Sequence, residues 1–187
     1  QKDCKQKNLM KSITLIGYMC VGKTTVGKEL AKRLGLTFYD LDWYIEERFH
    51  TKVPEIFAEY GEQHFRDLER RMLHEVAEFE NIVLPCGGGT PCFFDNMEYM
   101  NSVSQTVYLH ASSETILEHL KMSRGRRPLL EGKTPEELKI YVENQLKERE
   151  PFYSQAMFRQ EVSPLCTREK IDNICNEIIE KIKTTDK

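Results

Sequence analysis

The sequence predicts an α/β fold: a parallel sheet covered by helices on both faces, three layers in all. Three observations carry that prediction. A β-branched run ends at a glycine-rich loop and passes directly into a helical pattern, strand-like and helical segments then alternate as far as residue 110, and no internal repeat, low-complexity tract or Gly/Ser linker divides the chain. At 187 residues there is room for one well-buried domain, not for two that each carry a site. The expected organisation is an N-terminal arm over 1–11, a single domain over 12–187 and a lid at about 123–132.

Ser12-Ile-Thr-Leu-Ile-Gly17 reads as the first strand, and Val26, Leu30, Ala31 and Leu34 place an apolar face on the helix behind it. Thr37-Phe-Tyr-Asp40, Asn81-Ile-Val-Leu-Pro85 and Gln105-Thr-Val-Tyr-Leu-His110 read as the next three strands. Thr134-Pro135-Glu136-Glu137 is a helix start, with threonine to cap, proline at the first helical position and Glu137 completing a capping box; Leu138, Tyr141, Val142 and Leu146 supply its stripe. Behind a Thr167 cap, Ile171, Ile174, Cys175, Ile178, Ile179 and Ile182 repeat with helical period and form a closing amphipathic helix. The segment 123–132, basic and glycine-punctuated, lacks periodicity and is the candidate lid.

Composition narrows the function classes. Hydrophobic residues make up 40% and charged residues 30%, which is globular, and 27 basic against 30 acidic residues leave a net charge of −3. No overall field draws the chain to nucleic acid or to an anionic membrane, so any anion site must be local. No run approaches the roughly 18 apolar residues of a membrane span, and the polar, lysine-rich start has no apolar region behind it, so a cytoplasmic protein is expected. The six cysteines show neither a C-x-x-C pair nor zinc-ligand spacing, which favours reduced thiols; Cys20 and Cys86 fall inside glycine-rich loops, where a thiol reagent would inhibit. The histidines have no ligand spacing, and Trp43 and the tyrosines read as core or pocket wall.

Gly17-Tyr-Met-Cys-Val-Gly22-Lys23-Thr24 matches G-x-x-x-x-G-K-[ST] at every fixed position, between a strand and a helix. Glycines let backbone N–H groups close around phosphate oxygens, Lys23 neutralises the β/γ charge and the Thr24 hydroxyl can ligate Mg²⁺. Tyr18, Met19, Cys20, Val21 and Thr25 complete the loop. Asp40 and Asp42 follow the second strand, where alternation would send both carboxylates to one side, one for a metal's water shell and one for an attacking hydroxyl; such a pair is as often a turn or a helix cap. Arg66 and Glu69 stand three apart on a helix, and taken alone read as a surface ion pair. Gly87-Gly88-Gly89 follows the third strand, and three glycines in a row point to a close approach of backbone to a ligand. Arg124, Arg126 and Arg127 in the lid, and Arg149 beyond it, carry guanidinium forks suited to phosphate and carboxylate, though a solvated basic loop has the same look.

Taken in order, a P-loop, Asp-x-Asp, Phe65-Arg66 with Glu69, Gly87-Gly88-Gly89, Arg127-Pro-Leu-Leu130 and Arg149-Glu-Pro-Phe-Tyr153 make the chain resemble shikimate kinase from about Ser12 to the last helix. The resemblance implies a five-stranded parallel sheet of the nucleoside monophosphate kinase type within the P-loop class, and phosphorylation of the 3-hydroxyl of shikimate by ATP with Mg²⁺. It implies Asp42 as base, Asp40 and Thr24 at the metal, Lys23 and Arg127 at the transferring phosphate, and Arg124 beside the adenine. It further implies Arg66 and Arg149 on the substrate carboxylate, with the backbone of Gly87, Gly88 and Gly89 assisting and Glu69 orienting Arg66. A monomer is expected. The family usually carries glycine where this chain has Cys20, whose larger side chain would crowd the loop. Gluconate kinases and nucleoside monophosphate kinases share the scaffold, but neither accounts for the triple glycine together with Arg66 and Arg149. A binding module that had lost catalysis would be expected to lack Lys23, Asp42 or Arg127, and all three are present.

Overall fold

The computed structural model describes residues 11–122, 132–165 and 167–185. The first strand, β1 (Ile13–Ile16), enters the phosphate loop and leaves it as helix α1 (Lys23–Leu34), followed by the two-residue β2 (Thr37–Phe38), α2 (Leu41–Phe49) and the long α3 (Val53–Ala77). Then come β3 (Ile82–Pro85), a short 3₁₀ turn over Thr90–Cys92, α4 (Asn96–Val103), β4 (Gln105–His110), α5 (Ser113–Met122), α6 (Pro135–Tyr153), β5 (Phe158–Glu161) and α7 (Arg168–Thr185). All five strands run parallel in the order β2-β3-β1-β4-β5.

The sheet is apolar on both faces, as a parallel sheet between helices must be. Ile13 and Leu15 of β1 pack with Val26, Leu30, Ile116, Ile174, Cys175 and Ile178 on the face covered by α1, α5 and α7. Ile16 packs on the other face with Leu41, Ile45, Phe65, Leu73 and Met97 from α2, α3 and α4. Thr14 Oγ1 of β1 and Ser104 Oγ, at the end of α4 just before β4, satisfy each other at 2.7 Å. α7 is clamped to α1 by Arg33, which meets Glu29 at 2.8 Å and also pairs with Asp172.

The four strands read from the sequence are present, and β4 has the expected limits. β2 is shorter, because the chain turns after Phe38 so that Asp40 can cap α2. β5 has no counterpart among the strands read from the residues: it is a short edge strand with one buried side chain, too little alternation to signal itself. It supplies the fifth strand that the family resemblance implied. The Thr134 capping box is present, with Glu137 N–H donating to Thr134 Oγ1 and Thr134 N–H to Glu137. One expectation needs correcting. Trp43 is 50% exposed, with the Lys28 ammonium 4.7 Å over its ring, and Tyr60 is 55% exposed; neither belongs to the core or lines the cavity at the sheet edge. Cys20, Cys86, Cys92 and Cys175 are free thiols, as expected; Cys86 is buried, which leaves Cys20 as the more open of the two loop thiols. Among the described residues no helix is long and apolar enough to cross a membrane.

Candidate active site

The parallel arrangement brings the carboxyl ends of β1, β2 and β3 to one edge, where the phosphate loop, the Asp40–Asp42 segment and the triple glycine open. A cavity of about 420 Å³ lies between them, bounded by the phosphate loop, Asp40, Asp42, Gly87 and Gly88.

The loop is closed on itself. Lys23 Nζ donates to the carbonyls of Gly17 and Tyr18 at 2.7 and 2.8 Å, which holds its charge beside the space a phosphate would fill. Burial pulls the Lys23 ammonium down to about 8, against the opposing pull of Asp42 and Asp40. Thr24 at the start of α1 donates its hydroxyl to Asp40 Oδ2 at 3.0 Å. These two oxygen donors suit a hard cation that keeps most of its shell as water and phosphate oxygen, so the residues fit Mg²⁺.

Asp40 and Asp42 do share one side, but not through strand alternation. Asp40 is the N-cap of α2, accepting from the Trp43 amide, and Asp42 lies in the first helical turn. Burial first, then Asp40 and Glu69, push the Asp42 carboxyl up to about 7; Lys23 works the other way. Such a group can take a proton near neutrality.

Arg66 and Glu69 are not a surface pair. Glu69 is 1% exposed, accepting from Arg66 Nη1 at 2.8 Å and from the Thr90 hydroxyl at 2.5 Å. A buried carboxylate held on two sides fixes the guanidinium, which also stacks 4.1 Å from the Phe93 ring centre. The triple glycine explains itself by proximity: a Cβ at Gly89 would stand 2.5 Å from Arg66 Nη2. At Gly87 it would lie 3.2 Å from both Asp42 Oδ1 and Glu69 Oε1, and at Gly88 it would lie 3.2 Å from Arg149 Nη1 and 3.3 Å from the Met19 amide nitrogen. Arg149 thereby stands next to the phosphate loop, its guanidinium 5.2 Å over the Tyr18 ring. Tyr153, one turn on, donates to the Gly88 carbonyl at 2.5 Å.

The structure therefore gathers the loop Gly17–Thr25, Asp40, Asp42, Arg66, Glu69, Gly87–Gly89 and Arg149 around one sheet edge. Arg124, Arg126 and Arg127 of the expected lid lie outside the described residues. The residues of the site that were not foreseen include Thr90, Tyr153 and His119. Thr90 and Tyr153 anchor Glu69 and Gly88; Tyr153 was legible only as part of the Arg149 motif, and Thr90 carried no signal beyond following the glycines. His119 also lines the cavity. It is one histidine on a helix, and sequence alone could not tell it from a core residue.

The family model described as shikimate kinase matches residues 19–183. A shikimate kinase of Parabacteroides distasonis is 49% identical over 170 residues, covering 91% of this chain and 98% of that protein. The crystal structure of a shikimate kinase from Bacteroides thetaiotaomicron superposes with a TM-score of 0.90 at 47% identity, over 92% of this chain and 98% of that one. A shikimate kinase from Acinetobacter baumannii, solved in complex with shikimate, gives 0.82 at 31% identity over 94% of each chain.

Proposed function

The chain belongs to the shikimate kinase family, and from that premise we propose that its site moves the γ-phosphoryl group of ATP to the 3-hydroxyl of shikimate. The observation that carries this reading is the meeting at Gly88: Arg149 on one side of the glycine, the phosphate-loop backbone on the other, with Asp42 at the neighbouring Gly87. A hydroxylated carboxylic acid held by Arg66 and Arg149 would turn a hydroxyl toward Asp42 and toward a phosphate chain seated on the loop.

Phosphoryl transfer leaves a protein mainly positioning and charge stabilisation to do. Lys23 and the loop amides hold the phosphates, and Arg127 would close over the transferring group from the lid. Asp42 orients the acceptor hydroxyl and takes its proton as the oxygen–phosphorus bond forms and the bond to the leaving ADP oxygen breaks. Thr24 and Asp40 would hold Mg²⁺, which neutralises charge on the β- and γ-phosphates when bound. Glu69 and Thr90 keep Arg66 in station; Gly87, Gly88 and Gly89 allow the approach. Arg124 would flank the base. The enzyme would work as a monomer in the cytoplasm.

The test is an ADP-release assay run in parallel with shikimate, gluconate and nucleoside monophosphates. Turnover with shikimate alone is expected, and folded protein that releases no ADP with shikimate, MgATP present, would overturn the reading. In the same assay Arg66→Ala should raise the KM for shikimate by about 100-fold, in keeping with loss of a buried charged hydrogen-bond partner, and leave that for MgATP within about threefold. Equal loss on both substrates would remove Arg66 from the carboxylate clasp.

A further inference from the structure

Cys20 sits in the phosphate loop with φ 62, in the left-handed region that favours glycine. A side chain there stays in place only if its surroundings hold it. The Cys20 carbonyl accepts a hydrogen bond from Nδ1 of His119, at 2.7 Å. The other ring nitrogen, Nε2, accepts from the Leu165 N–H at 2.8 Å. A carbonyl only accepts and an amide N–H only donates, so the ring is neutral with its proton on Nδ1. His119 is 8% exposed, and the residue whose backbone it holds, Leu165, lays its side chain against Gly22, where even a Cβ would collide with it. One imidazole on α5 thus joins the phosphate loop to the segment that leads into α7.

The peptide that His119 orients reaches the catalytic lysine. Its N–H, on Val21, donates to the Tyr18 carbonyl at 3.3 Å, and that carbonyl also accepts from Lys23 Nζ. Fixing the Cys20–Val21 peptide plane therefore fixes one of the two acceptors that seat Lys23. Without the imidazole, a non-glycine residue at this φ would be free to leave the left-handed region and take the loop with it.

We propose that His119 is a positioning residue for the nucleotide: it holds the non-glycine turn at Cys20 in its phosphate-binding form and ties it to Leu165 at the rim of the same cavity. This rests on the reading of Gly17–Thr25 as the nucleotide site. It acts through Cys20 and Leu165, and takes the place of the conformational ease a glycine would supply.

The experiment is steady-state kinetics with MgATP and shikimate varied separately, for His119→Leu and His119→Asn, each made with Cys20 and with Cys20→Gly. His119→Leu should raise the KM for MgATP about tenfold while that for shikimate stays within about twofold, since a lost hydrogen bond in the loop is felt by the nucleotide. Asn keeps a donor at the Nδ1 position, so His119→Asn should recover most of that loss. With Cys20→Gly the effect of His119→Leu should shrink to about threefold or less, because glycine holds φ 62 unaided. Equal rises in both KM values, no rise for MgATP, or the same effect in both backgrounds would each overturn the proposal. Should His119→Leu fail to fold, as circular dichroism would show, His119→Gln, whose amide reaches the Nε2 position and leaves no donor at Nδ1, decides by the same ordering in the two backgrounds. Wild-type protein without shikimate-dependent turnover would count against the proposed function; calorimetric MgADP affinity of the same variants would then decide the role of His119.

Discussion

Asp42 and Lys23 face each other across the cavity with opposed shifts from one cause, the loss of water around a charge. Folding raises the Asp42 pKa from its ordinary range, near 4, to about 7. Its contribution to stability is therefore present below about pH 4 and lost as pH rises through 7, so the ionised carboxylate opposes folding at pH 8. Asp42→Asn should lower kcat at least ~100-fold and yet raise the melting temperature by roughly 3 °C at pH 8, the gain fading toward pH 4. Scanning calorimetry at the two pH values checks this, and a gain independent of pH would contradict the burial of that charge. In the wild type, kcat/KM for shikimate should rise with pH along a limb near 7 as Asp42 loses its proton. At this scale the chemistry was legible and the burial was not. The spacing of Arg66 and Glu69 is visible in the sequence, but a three-residue spacing is the same on a wet or a dry helix face. What makes the pair functional is Thr90 and Gly89 arriving from another part of the chain.

Helix α3 owes its placement of Arg66 to a break. Gly61 lies inside it at φ 80 and ψ 171, far from helical values, so the turn carrying Ile56 and Phe57 is set apart from the one carrying Phe65 and Arg66. A Cβ at Gly61 would meet nothing within 4 Å, so the need for glycine there is purely conformational. Gly61→Ala should cost about 1–3 kcal/mol in denaturant unfolding and raise the KM for shikimate more than that for MgATP, as Arg66 shifts. Unchanged stability would mean that the helix can straighten freely. Elements whose signals are local were readable: α6 opens on a capping box, and α7 carries its isoleucine stripe into the core. Elements set by tertiary contact were not. β5 exists because His110 and its neighbours in β4 offer a partner, and the aspartates converge because α2 begins one residue after Asp40.

For the whole molecule, the alternation of strands and helices determined the layers, and the glycine loops marked the edge where the ligands belong. The strand order could not be read, since parallel partners are chosen by packing between distant segments. MgATP at about 100 times its dissociation constant should add about 2.7 kcal/mol to unfolding, a rise of roughly 5–10 °C in melting temperature. EDTA should remove most of that rise and leave the nucleotide-free melting temperature unchanged, which tests Thr24 and Asp40 as metal holders in a thermal-shift assay. The sheet order also bears on how the protein is made. Of the five strands in this sheet, β1 is made before the others and is the central one, bounded by β3 and β4, whose residues follow some 70 and 90 positions later. Until about residue 110 has emerged, Ile13, Leu15 and Ile16 have no complete surface to bury against. The growing chain therefore carries its phosphate loop exposed while about 90 further residues are made, and truncations ending before β4 should aggregate instead of binding nucleotide.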